Sequence, residues 1–134
     1  MKIALVYWSM SGNTEGAANY LEGALSAHEV TVFGTGDYDG INVDDYDALV
    51  LGCPAMGSEV LEESEFDPWF TSIEGSINGK KVALFGSFGW GDGQWMRDWQ
   101  ERAEADGADV VAAVYFNGPI DGNEAELDTL VNAL

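Results

Sequence analysis

The sequence predicts an α/β protein: one doubly wound, five-stranded parallel sheet of order 2-1-3-4-5 with helices on both faces. Three observations predict it. Five short apolar runs, Lys2–Tyr7, Glu29–Phe33, Ala48–Gly52, Lys81–Gly86 and Asp109–Phe116, are mostly continuous, the pattern of strands buried on both faces. Segments of helical periodicity alternate with them, which calls for crossover connections and a parallel sheet. The 134 residues suit one domain, 1–134, without repeats, linkers or low-complexity segments.

Each element has its own signal. After the first strand, Asn13 to Ser26 reads as a helix, with Ala17, Ala18, Leu21, Ala24 and Leu25 small or apolar at helical spacing. His28 follows as a solvated residue favourable to the helix C-terminus. Glu29–Phe33 half alternates, as suits a strand nearer an edge. Gly34 to Asp45 is rich in Gly and Asp and lacks periodicity. It reads as an acidic connection with at most one helical turn.

Ala48–Gly52 is the third strand, and Cys53 to Leu61 a loop. A helix is predicted over Ser64–Ile73, with Phe66, Trp69, Phe70 and Ile73 on one face. Pro68 falls in its first turns, where proline is tolerated. Asn78-Gly79 is a turn. Lys81–Gly86 is followed by a loop, Ser87 to Gly93, and a helix over Gln94–Asp106 that turns Trp95, Met96, Trp99 and Ala103 inward. Gly107 ends it. Asn117-Gly118-Pro119 breaks the fifth strand. A last helix starts near Asn123, with Leu127, Leu130, Val131 and Leu134 at i, i+3, i+4 and i+7.

Composition removes several classes of function. The 24 acidic residues against 5 basic ones give a net charge of −19, which argues against nucleic acid or an anionic membrane as partner. It suits basic protein partners and plain solubility alike. Cys53 is the single cysteine, so no internal disulfide and no cysteine-rich metal or iron–sulfur site is expected. It lacks basic neighbours and reads as a small buried residue at a strand end. With no signal peptide and no apolar run near membrane-spanning length, a cytoplasmic monomer is expected.

Three loops carry chemistry. Ser9-Met10-Ser11-Gly12-Asn13-Thr14 joins the first strand to the first helix. The first amides of a helix lack partners and favour negative charge. Ser9, Ser11 and Thr14 add hydroxyls and Asn13 an amide, but no Lys or Arg lies between Lys2 and Lys80. A phosphate here is held by neutral donors. In the second loop, Ala55-Met56-Gly57-Ser58-Glu59 is a turn whose glycine reaches either of two turn types. Met56 is a polarizable side chain suited to an aromatic face, and Glu59 offers a carboxylate acceptor. The third, Ser87-Phe88-Gly89-Trp90-Gly91-Asp92-Gly93, sets an indole between glycines, where it can stack on a flat ring. Phe88 and Trp95 are expected against the sheet. The three loops follow strands one, three and four, so they converge at the switch point of the sheet.

Together with Gly52-Cys53-Pro54, Glu62-Glu63-Ser64-Glu65 and Trp95-Met96-Arg97-Asp98, these loops resemble the short-chain, clostridial-type flavodoxins over nearly the whole chain. The resemblance implies FMN, bound noncovalently. Its phosphate would lie on Ser9, Ser11, Asn13 and Thr14, and its ring between Met56 and Trp90. Glu59 and the amides near residues 57 and 89 would meet the ring's polar edge. Met10, Gly12, Ala55, Ser87, Phe88, Gly91 and Asp92 complete the expected cofactor contacts. In the family the peptide matching Gly57–Ser58 flips on one-electron reduction. Ser58 stands where some members have glycine, and a non-glycine residue at positive φ costs on the order of 1–2 kcal/mol.

The implied function is a low-potential one-electron carrier. FMN would cycle between semiquinone and hydroquinone, passing electrons between redox proteins with basic docking surfaces. The reduced flavin anion would lie near Glu59 and Asp92 with no nearby cation, which makes it a strong reductant. Glu62, Glu63, Glu65 and Asp67 form either an acidic rim that steers partners or a solvated charge run. No acid–base pair or nucleophile is evident, so no small-molecule substrate is expected. An activator of a ribonucleotide reductase is the alternative of the same fold, though Gly89-Trp90-Gly91 speaks against it. A low-molecular-weight phosphatase needs Arg six positions after its cysteine, and position 59 is Glu. The glycine–lysine motif of a nucleotide hydrolase is absent. A receiver domain needs an acidic cluster after strand one and an Asp ending strand three, where Ser9 and Cys53 stand.

Overall fold

In the computed structural model, which describes residues 1–134, β1 (Lys2–Tyr7) is buried from Ile3 onward. The reason is its central place: it pairs in parallel with β2 (Glu29–Phe33) on one side and β3 (Ala48–Gly52) on the other. β4 (Lys81–Phe88) and β5 (Asp109–Asn117) extend the sheet, whose order is β2-β1-β3-β4-β5, as predicted. β3 is buried throughout, and the edge strand β2 alternates between exposed and half-buried residues.

Alternating strand residues feed two cores. Ala4, Val6, Leu49, Leu51, Val82 and Leu84 face α2 (Phe66–Ile73) and α3 (Gln94–Ala105). Ile3, Leu5, Val50, Ala83 and Phe85 face α1 (Asn13–Ala24) and α4 (Glu124–Ala133). The first core accounts for most of the aromatic residues. Trp99 receives Phe66 and Phe70 edge-on, at ring-centroid distances of 5.5 and 5.9 Å. These are the geometries aromatic quadrupoles favour. Trp95, Met96, Trp99 and Ala103 are all buried on α3, as their spacing requires. No helix is long and apolar enough to cross a membrane.

Several boundaries differ from the sequence-based expectation. β4 continues through Ser87 and Phe88, which belong to the strand and not to the following loop. β5 supplies the reason: it runs on to Asn117 and pairs Ser87 with Phe116 and Phe88 with Asn117. The Ser87 hydroxyl also donates to the Gly118 carbonyl at 2.6 Å. α1 stops at Ala24, where the chain tightens and the His28 amide bonds the Leu25 carbonyl. α2 starts at Phe66, two residues later than predicted, because its first amides are taken by Glu62. The Gly34–Asp45 connection holds one 3-10 turn, Val43–Asp45, in agreement with the reading of at most one helical turn.

Candidate functional site

The loops after β1, β3 and β4 meet at the carboxyl edge of the sheet around a cleft of about 220 Å³. Ser9, Met10, Ser11, Asn13, Thr14, Ala55, Met56, Ser87, Phe88 and Gly89 line it, together with Pro54. All of these but Pro54 are residues the sequence singles out for a ligand. A larger depression, about 470 Å³, lies between the Gly34–Asp45 connection and α2. Asp39 and Glu65 stand on its walls, the wrong charge for a phosphate.

The first wall is a set of neutral donors. Gly12, at φ +95°, lets the chain turn into α1. The Ser9 Oγ accepts the Gly12 and Glu15 amides, each at 3.2 Å. A hydroxyl oxygen has two lone pairs, so both are used and the hydroxyl proton is left to donate elsewhere. The amides of Ser11, Asn13 and Thr14 meet no protein acceptor. Thr14 is 1% exposed, and its buried hydroxyl has no hydrogen-bond partner. A buried polar group in that state calls for a ligand or water. No Lys or Arg lines the cleft. This chemistry fits a phosphoryl group held by helix amides and hydroxyls. Met10 stands out at the tip of the loop, exposed to solvent.

The second wall is a tight hairpin. Met56 and Val60 exchange backbone hydrogen bonds of 2.9 and 3.0 Å, leaving Gly57, Ser58 and Glu59 as its tip. Gly57 has φ +47° and Glu59 has φ +58°. The left-handed non-glycine residue is therefore Glu59, whereas the sequence reading set that strain on Ser58. Glu59 is held there because its carboxylate accepts the Asp92 amide at 3.1 Å and the Trp95 amide at 3.3 Å. The Trp95 amide belongs to the first turn of α3, where a negative charge is favoured, and the Asp92 amide lies just before it. The carboxylate thus ties the hairpin to the β4–α3 loop.

Gly91 makes room for that link. A Cβ placed there would fall 2.0 Å from the Glu59 Oε1, and the backbone φ is +93°. Gly91→Ala is expected to lower stability by about 2 kcal/mol, through left-handed strain and the displaced cap. Chemical denaturation measures it, and an unchanged midpoint would show that the link carries no weight.

The third wall is the end of β4, Ser87 and Phe88, with Gly89 after it, and Trp90 follows just outside the cleft. Its indole is 66% exposed, while the other four tryptophans are buried in the core. It is not folded back onto the sheet. Trp95 lies in the core against the sheet, as expected, and Phe88 packs on it at a ring-centroid distance of 5.8 Å. Arg97 braces the loop: its guanidinium donates to the Asp92 carbonyl and carboxylate, both at 3.0 Å, and to the Gln94 Oε1 at 3.1 Å. The Asp92 carboxylate raises the guanidinium pKa above its usual value.

Gly12 serves as the helix cap, and Gly57, Ser58, Glu59, Trp90, Gly91 and Asp92 flank the cleft without lining it. The predicted acidic rim is only partly one. Glu62 is 5% exposed and caps α2, and Asp67 pairs with Arg102 at 2.9 Å. Glu63 and Glu65 remain exposed. Cys53 is buried, with its thiol pKa pushed up by desolvation, in keeping with an inert residue. Sequence reasoning missed Thr35, whose hydroxyl accepts the Ser9 amide at 2.8 Å. Carrying the β1–β2 register past Phe33 would have found it.

Residues 5–133 match the family model described as Flavodoxin. The chain is 47% identical to "Flavodoxin" of Megasphaera elsdenii over 118 residues, covering 86% of this chain and 85% of that one. It is also 47% identical to "Flavodoxin" of Clostridium beijerinckii over 133 residues, covering 94% and 92%. The solution structure of two-electron reduced Megasphaera elsdenii flavodoxin matches with a TM-score of 0.87 at 44% identity, over 98% of this chain and 96% of that one. Sequence and structure agree over nearly the whole length, and the chain belongs to the flavodoxin family.

Proposed function

We propose that this chain is a low-potential one-electron carrier that holds FMN noncovalently and passes electrons between redox proteins in the cytoplasm, without a small-molecule substrate of its own. The observation that carries this is the first wall: unpaired amides and a buried, unpartnered Thr14 hydroxyl at the start of α1, with no cation beside them. Bound FMN supplies a ring that takes up electrons singly, and the couple used is the one between its half-reduced and fully reduced forms.

The chain's own residues do the rest. Ser9, Ser11, Asn13 and Thr14 would hold the phosphate. Met56 and Trp90 would cover the faces of the ring and limit its contact with water. Gly57 gives the hairpin tip two accessible backbone states, so its peptide can be biased by the ligand. Glu59 puts negative charge beside the site, whereas the charge of Asp92 is offset by its ion pair with Arg97. A second negative charge on the ligand is therefore disfavoured, which lowers the potential of the second electron. The net charge of −19 and the free Glu63 and Glu65 favour partners with basic docking faces. Association with such partners should slow as salt rises, because exposed charges are screened beyond about 8 Å at physiological ionic strength.

The deciding experiment is titration of the apoprotein with FMN, followed by stepwise reduction with dithionite. A yellow one-to-one complex is expected, with a second potential well below that of free FMN. No complex, or a second potential at or above that of free FMN, would overturn the reading.

A further inference from the structure

We propose that Thr35 is a positioning residue for the anion cradle: its hydroxyl continues the β1–β2 ladder past the last backbone pair and thereby fixes Ser9. The β1–β2 register ends at Val6 opposite Phe33. On its other side β1 keeps its partner longer, and the Trp8 amide donates to the Gly52 carbonyl at 3.0 Å. Backbone amides along a strand alternate between its two neighbours. The next amide, that of Ser9, therefore faces the β2 side, where the strand has ended. The Thr35 hydroxyl takes the missing place. It accepts the Ser9 amide at 2.8 Å and donates to the Ser9 carbonyl at 3.3 Å.

One side chain thus satisfies both backbone groups of Ser9. From there the contacts pass to the cradle itself, since the Ser9 Oγ accepts the Gly12 and Glu15 amides. With those lone pairs filled, the orientation of the Ser9 peptide decides where its hydroxyl proton points. Thr35 comes from a different loop and is not among the residues that line the cleft. Its effect on a ligand passes through Ser9. The proposal rests on the FMN reading for the identity of the anion, but not for these contacts.

The test compares wild type, Thr35→Val and Thr35→Ser as apoproteins. Valine keeps the branched shape and removes the hydroxyl, and serine restores the hydroxyl alone. Affinities for FMN and for riboflavin, which lacks the phosphate, are measured alongside amide hydrogen exchange at Ser9, Gly12 and Glu15. Thr35→Val is expected to weaken FMN about five- to tenfold, as for one or two lost hydrogen bonds, and riboflavin less than about twofold. The three amides should exchange faster in the valine variant and recover in Thr35→Ser. Equal losses for FMN and riboflavin, unchanged FMN affinity, or no rescue by serine would overturn the proposal. If wild type binds FMN no better than riboflavin, the cofactor reading fails. The exchange data then decide alone, with faster exchange in valine and recovery in serine supporting the role and unchanged exchange refuting it.

Discussion

Glu62→Ala should cost about 4 kcal/mol of folding stability, because a charged acceptor is removed from several buried or half-buried donors at once. The Glu62 carboxylate accepts the Ser64 amide at 2.9 Å, the Glu65 amide at 2.7 Å and the Phe66 amide at 2.8 Å. The Ser64 hydroxyl donates to it as well. The Glu65 and Phe66 amides are opening donors of α2, which have no partners within the helix, and the Ser64 amide lies just before them. Phe66 is fully buried, so water cannot readily replace the lost acceptor there. Glu62→Gln keeps the shape but offers one acceptor oxygen in place of two, and about half the loss is expected. Urea unfolding at neutral pH reads both, and a loss below about 1 kcal/mol for the alanine variant would show the cap to be incidental.

The same carboxylate makes part of the fold acid-sensitive. Burial alone would push its pKa up, but the hydrogen bonds from the Ser64 hydroxyl and the amides of Phe66, Ser64 and Glu65 outweigh burial and hold it below its usual range. A group whose folded pKa is depressed binds fewer protons folded than unfolded, so stability rises with pH between the two values. Its contribution is complete above the ordinary glutamate pKa and is lost as the pH falls through the lowered one. Glu62→Gln should therefore narrow the stability gap between neutral and acidic solution.

Trp90→Ala should weaken FMN about 30-fold, which corresponds to about 2 kcal/mol for a flat ring losing its stacking partner. Stability should stay within about 0.5 kcal/mol of wild type, since the indole is exposed and packs on nothing in the core. The pairing of those two results is the test. Quenching of FMN fluorescence on binding gives the affinity, and denaturation gives the stability. Unchanged affinity would remove Trp90 from the site, and a large loss of stability would mean that it belongs to the fold. Trp95 makes the contrast. It is 1% exposed and its Nε1 donates to the Cys53 carbonyl at 3.1 Å, so its removal should damage the fold first.

Local signals were legible wherever structure is local. The continuous apolar runs gave the strands because central parallel strands are buried on both faces. The spacing of Trp95, Met96, Trp99 and Ala103 separated core indoles from the one between glycines. The donors at Ser9 to Thr14 read as an anion site because a helix start exposes its own amides. What stayed hidden depends on partners distant in sequence. Ser87 and Phe88 look like loop until β5 is seen to run beside them. Glu62 is indistinguishable from Glu63 and Glu65 until α2 turns its amides back toward it. The strain at Glu59 is tolerable only because α3 starts within reach of its carboxylate. Thr35 bonds Ser9 across 26 positions, and no pattern within either loop announces it.

The uneven exposure of the five indoles has an optical consequence. Four sit in apolar surroundings and should emit toward the blue, beyond the reach of a soluble quencher such as acrylamide. Trp90 meets water and should own the red edge of the emission, so the rim of the cleft carries its own lamp.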